Sequence, residues 1–186
     1  MTTIVPTIIN EEMKAAPTKS PRTPAASPRR GFDSLEQEAF LNVWRTYDRL
    51  RAFEDDLFSA HGLTAQQYNA LRLLRAVHPS TLPTLVVAAR LVSRAPDITR
   101  LLDKLQERGL VQRERLAGNR RVVEVGITAA GLALLKKLAG QVRECHQRQM
   151  GHLSHSQLGE LIALLEAARR PHEDPGGAFC PEERTD

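Results

Sequence analysis

The sequence predicts a mainly α-helical domain that carries one small β-hairpin, an α+β fold. Three observations predict it. Apolar residues recur at helical spacing in six stretches between residues 34 and 170. Helix-start residues (Thr64, Ser93, Thr128, Ser154) and stop glycines (Gly62, Gly109) punctuate those stretches. One interval, Val111 to Ile127, breaks the helical period and reads as two strands around Ala117-Gly118-Asn119.

The first helix is expected from Asp33 or Ser34 to about Ala60, with Phe40, Val43, Trp44, Tyr47, Leu50 and Leu57 along its stripe. Gly62 stops it. Thr64-Ala65-Gln66-Gln67 is a capping box, with Leu63 and Tyr68 placed for a hydrophobic staple, so a second helix runs to about Val77. A short third helix is expected from Pro83 to about Arg90. Ser93 is expected to open the fourth, since Pro96 is tolerated in a first turn that has no intrahelical N–H bonds to lose. Its apolar face is Ile98, Leu101, Leu102 and Leu105, and Gly109 ends it with Leu110 set to touch Leu105. Strands Val111–Leu116 and Arg120–Ile127 follow. Thr128 caps a fifth helix through Leu132, Leu135, Leu138 and Val142, and Ser154-His155-Ser156-Gln157 boxes a sixth that stops at Pro171.

Helix, helix, short helix, helix, hairpin, helix, helix is the order of a winged helix-turn-helix with extra helices at both ends. At 186 residues the chain suits one well-buried domain. Aromatics make up only 4%, so Leu, Val and Ala must build the core. Residues 1–32 are read as a disordered basic, Pro-rich arm, holding Lys14, Lys19, Arg22, Arg29 and Arg30. Residues 171–186 are read as a disordered acidic tail. The winged domain is then 33–170, with a DNA-binding lobe at about 64–128. The flanking helices, about 34–60 and 129–170, bear apolar stripes that so small a unit does not cover alone, which points to a homodimer.

The fourth helix turns Pro96, Asp97, Arg100, Asp103 and Lys104 away from its leucines. A recognition helix needs this arrangement, an apolar back and a donor-and-acceptor front for the major groove. The plainer reading is a surface helix with Asp97 paired to Arg100 and Asp103 to Lys104. The hairpin favours the first. Arg108, Arg113, Arg115, Arg120 and Arg121 face a single acid, Glu114, and arginine suits phosphate contact and narrow minor grooves. The residues expected at DNA are Ser93, Arg94, Pro96, Asp97, Thr99, Arg100, Lys104, Arg113, Arg115, Asn119, Arg120 and Arg121.

On these residues the chain resembles the MarR family of transcription regulators. Ala95 to Val111 is similar to the family's recognition helix and its Gly-Leu-Val exit, and Asn119-Arg120-Arg121-Val122-Val123 through Ile127-Thr128 to its wing and helix start. The likeness runs from about Leu35 to Arg170, with its specific part at 91–131. Asn119 stands where the family usually has Asp; it still shapes a turn but adds no charge to orient the arginines. Leu116-Ala117-Gly118 likewise replaces the family's acidic, Pro-containing tip. The resemblance implies a repressor that binds double-stranded, pseudo-palindromic operators as a dimer. It also implies an ion pair between Asp103 and Arg121 that ties wing to helix. It implies, further, a cleft for a small aromatic or acidic effector, drawing on Trp44, Tyr47 and Tyr68. The alternative for Trp44 and Tyr47 is a place in the subunit interface.

Other function classes find little footing. GxSxG, HExxH, Walker and GxGxxG motifs are absent, so no enzyme and no cofactor are expected. Cys145 with His146, His152 and His155 matches no zinc spacing, so no metal is expected. Cys145 is read as a structural helix residue rather than a redox sensor, and Cys180 as a tail thiol. With no apolar run near the ~20 residues of a membrane span, no secretory pattern at Met1–Asn10 and no cysteine framework, a cytoplasmic protein is expected.

Overall fold

The computed structural model describes residues 31–92, 97–115 and 122–173. Residues 1–30 of the expected arm (1–32), the tail from Asp174 onward and the hairpin tip lie outside them. The chain divides after Trp44 into two compact units, each taken by itself. In the first, Ser34 Oγ accepts the backbone N–H of Gln37 at 3.1 Å and starts helix α1 (Leu35–Ser59), as its short polar side chain favours. Phe40, Val43 and Trp44 on this stretch are exposed, the Phe40 and Trp44 rings 6.2 Å apart.

The second unit holds the core. Gly62 takes φ +66°, and the N–H groups of Gly62 and Leu63 close back on Ser59 and Phe58 at 2.9 Å. That left-handed turn, which a Cβ would strain, directs the chain into α2 (Ala65–Ala76). The Thr64 hydroxyl accepts the N–H of Gln67, and the Gln67 side chain accepts that of Thr64, completing the expected box. Helix α3 (Thr84–Arg90) and helix α4 (Ile98–Glu107) follow. Strands β2 (Val111–Arg115) and β3 (Val123–Ile127) form the antiparallel hairpin, with Val111 opposite Ile127 and Arg115 opposite Val123.

The expectation of two strands is corrected to three. Leu82–Pro83 forms β1, which pairs with the free side of β3, giving the order β1-β3-β2. Two residues show no alternation, and Pro83 sits where an edge strand can do without one N–H. Helix α5 (Ala129–Met150) is capped by the Thr128 hydroxyl, which also donates to Gly109 O at 2.6 Å. Gly131 allows the close approach of α5 to the hairpin, since a Cβ there would lie 2.4 Å from Leu110 O. Helix α6 (His155–Arg169) carries its capping box at Ser154 and ends in a short 3-10 turn, Arg170–His172.

One apolar cluster joins these elements. Phe58, Leu71, Leu74, Val87, Leu102, Leu105, Val125, Leu135 and Leu138 are almost wholly shielded from water. Each fully buried leucine contributes about 1.5–3 kcal/mol of transfer free energy. Helix α6 contributes none of its residues to the core.

Candidate nucleic-acid interface

Helix α4 is fixed from behind. Leu101, Leu102 and Leu105 are buried, and Gly109 (φ +67°) closes the C-terminus with Leu110 N–H donating to Leu105 O at 2.9 Å. Its start differs from the expectation. Asp97 is the N-cap, its carboxylate accepting the N–H of Arg100 at 2.9 Å, so the helix opens four residues after Ser93. An aspartate there satisfies an orphan donor and complements the positive end of the helix dipole. Of the residues expected at DNA, Thr99, Arg100 and Lys104 stand exposed on the outer side of α4, and Asp97 is exposed at its start. Ser93, Arg94 and Pro96 lie outside the described residues, as do Asn119, Arg120 and Arg121.

The hairpin arginines do different work. Arg113 shares a strand face with buried Val111, because side chains two apart point the same way. Its Nη2 donates to the Asp103 carboxylate and its Nε to the Gln106 side chain, with 22% of the Arg113 side chain exposed. Asp103 is therefore tied to Arg113, not to Lys104. The Asp103–Arg121 pair falls on a residue outside those described. Arg108 has other partners, its Nη1 donating to Gly62 O at 2.6 Å and its Nη2 to His61 O at 3.0 Å. Arg115 is exposed at the end of β2. The guanidinium groups of Arg108 and Arg113 thus brace the lobe, while those of Arg100 and Arg115 face outward.

A cavity of about 580 Å³ lies within the second unit, lined by Tyr47, Arg51, Glu54, Phe58, Tyr68 and Arg72 among others. Tyr68 stacks on Phe58, ring centroids 4.4 Å apart, and the Arg72 guanidinium lies over the Tyr68 ring, 5.9 Å from its centroid. Burial pushes the Tyr68 phenol above its ordinary value, partly offset by Arg72 and Arg75. The walls pair Arg51 with Asp55 at 3.1 Å and His146 with Glu54 at 3.7 Å. Two of the three aromatics expected in a cleft, Tyr47 and Tyr68, are thus brought to one cavity. Trp44 belongs to the first unit and is 61% exposed.

Cys145 is buried in α5, and burial, with Glu54 second, pushes its thiol up. The reactive thiolate is then scarce at neutral pH, as for a structural cysteine. His152 and His155 are exposed, and no three His, Cys, Asp or Glu among the described residues converge on a metal site. Among the described residues no helix is long and apolar enough to cross a membrane.

The pattern described as "MarR family" matches residues 61–122, which span α2 to the hairpin. The HTH-type transcriptional repressor NicR of Pseudomonas putida is 31% identical over 150 residues, 80% of this chain and 91% of NicR. A MarR transcription factor from Planctomyces limnophilus, solved as a crystal structure, is 60% identical. It covers 73% of this chain and 98% of that one, with a TM-score of 0.59. The chain belongs to the MarR family. Members are transcription regulators, not enzymes, and the helical body with its small three-stranded sheet is the MarR winged helix. The same fold occurs in a cysteine-to-serine mutant of MarR from E. coli complexed with operator DNA. That chain is 21% identical, with a TM-score of 0.63, over 70% of this chain and 93% of its own length.

Sequence reasoning missed two MarR-lobe contacts, Arg108 to the end of α1 and Arg113 to α4. The first bridges 46 positions and has no local signature. The second was open to inspection, since alternation along β2 places Arg113 on the inner face.

Proposed function

We propose that this MarR-family chain is a sequence-specific repressor that binds pseudo-palindromic operator DNA as a homodimer in the cytoplasm. The observation that carries the reading is α4. Its leucine back is locked into the core, and Thr99, Arg100 and Lys104 are left free to face a major groove. Arg115, at the end of β2 that leads to the hairpin tip, adds positive charge for the phosphates. NicR, a transcriptional repressor, and the complex of E. coli MarR with operator DNA support the same reading.

The lobe at about 64–128 reads DNA, with Ser93, Arg94, Pro96, Asp97, Asn119, Arg120 and Arg121 completing its contact set. The helices at about 34–60 and 129–170 dimerise, supported by exposed Phe40, Val43, Trp44, Ile162 and Leu164. Arm (1–32) and tail (171–186) flank this body. The cavity of Tyr47 and Tyr68 suits a small aromatic or acidic effector, which would have to engage or displace the Arg51–Asp55 pair.

The test is a mobility-shift titration on a duplex selected from a random-sequence pool, repeated across salt concentrations. The expected site has two half-sites whose centres lie about 34 Å, or ~10 bp, apart. If each subunit neutralises three to five phosphates, log K falls against log salt with a slope of about −5 to −9. A chain that enriches no sequence and retards no duplex at low salt is an interaction module, and the proposal fails.

A further inference from the structure

We propose that Arg108 is a positioning residue for operator binding: it clasps the exit of the recognition helix to the end of α1 and so holds the spacing at which the lobe is presented. The inference rests on the DNA-binding reading above. Arg108 is the C-cap of α4, immediately before Gly109. Its two terminal nitrogens each donate to a separate carbonyl, Gly62 O at 2.6 Å and His61 O at 3.0 Å. These carbonyls lie in the turn after α1 (Leu35–Ser59), outside any helix or strand ladder, so a side-chain donor can satisfy them. A rigid planar fork matches two neighbouring acceptors in a way a single ammonium cannot.

The anchor is itself held. His61 N–H donates to Phe58 O at 3.0 Å, Phe58 is buried in the core, and the His61 ring Nε2 contacts Gln141 Oε1 of α5 at 2.8 Å. One guanidinium therefore joins α4, the α1–α2 turn and, through His61, α5. In a dimer built on the flanking helices, the distance between the two recognition helices depends on how each lobe is fixed to those helices. Arg108 supplies a directional link of that kind. With both terminal nitrogens engaged by backbone carbonyls, it is not one of the groups that neutralise phosphate.

The experiment compares the full-length chain with Arg108→Ala and Arg108→Lys on a pool-selected duplex and on versions with the half-site spacer changed by one base pair. Arg108→Ala is expected to weaken the selected duplex about tenfold, as two charge-assisted hydrogen bonds are lost. Its salt slope should stay unchanged and its preference for the native spacer should shrink. Arg108→Lys should restore charge without restoring affinity or spacer preference. Hydrogen exchange without DNA should quicken in both variants at residues 59–64 and 105–111, while the centre of α5 stays protected. A salt slope reduced by about 2 per dimer, or full rescue by lysine, would make Arg108 a phosphate contact and overturn the proposal. Unchanged exchange at both segments would overturn it too. If the wild-type chain binds no duplex, the DNA-binding reading falls, and the exchange arm alone still decides whether the clasp holds.

Discussion

Helices α4 and α6 are both rich in leucine, and they end up in opposite environments. Leu101, Leu102 and Leu105 of α4 are buried by the chain's own core. In α6, Ile162, Leu164 and Leu165 are 55, 69 and 38% exposed, and no residue is buried. One of the two helices is fully accommodated within a single chain and the other is not. Helix α4 needs nothing further to be held, and α6 leaves an apolar face for another surface.

The largest expected effect separates the two directly. Leu102→Ala should cost about 2–5 kcal/mol in chemical denaturation, because it opens a cavity in a packed core. That loss should not depend on protein concentration. Ile162→Ala should act through association, so its effect on the melting temperature should vary with concentration. If Ile162→Ala is as damaging as Leu102→Ala at every dilution, α6 is packed within its own chain and the contrast breaks.

A pair of glycines sharpens the same contrast. A Cβ at Gly131 would lie 2.4 Å from Leu110 O and 2.7 Å from Ile127 Cγ1, whereas one at Gly159 of α6 meets nothing within 4 Å. Gly131→Ala should destabilise by about 1–3 kcal/mol. Gly159→Ala should stabilise by up to about 1 kcal/mol, since alanine is the better helix former in open space. Thermal melts of the two variants check the opposite signs.

The smallest effect lies inside the lobe. Asp103→Ala and Arg113→Ala should each weaken DNA binding, and together by less than the sum of the two. The pair is part exposed, 44% at Asp103, so its coupling in stability should reach only about 0.2–1 kcal/mol. Additive losses on operator affinity in a double-mutant cycle would mean that the pair does not steer the wing.

What could be read from the sequence was short in range. Thr64 with Gln67, Ser154 with Gln157 and Gly109 before Leu110 each encode a helix end within a few residues, and each sits as expected. The MarR winged-helix order followed from those boundaries. The misses have a common cause. Two-residue β1 is defined only by its partner β3, and Arg108 finds its carbonyls 46 positions away. The start of α4 turned on a choice between Ser93 and Asp97, both good caps, which local propensity does not rank. Within the candidate site, the outward places of Thr99, Arg100 and Lys104 were legible from helical period alone. The inward turn of Arg113 follows from strand alternation, which the clustering of five arginines around it obscures.

In the proposed homodimer, a second copy of this chain covers the apolar face left open by α6. Sedimentation equilibrium of the full chain, beside the double variant Ile162→Asp with Leu165→Asp, tests it most directly. The wild type is expected to show a two-chain mass at micromolar concentration. For the variant a one-chain mass is expected, with helical content largely retained. A wild type that sediments as one chain at that concentration, while binding its selected duplex tightly, would contradict the proposed homodimer.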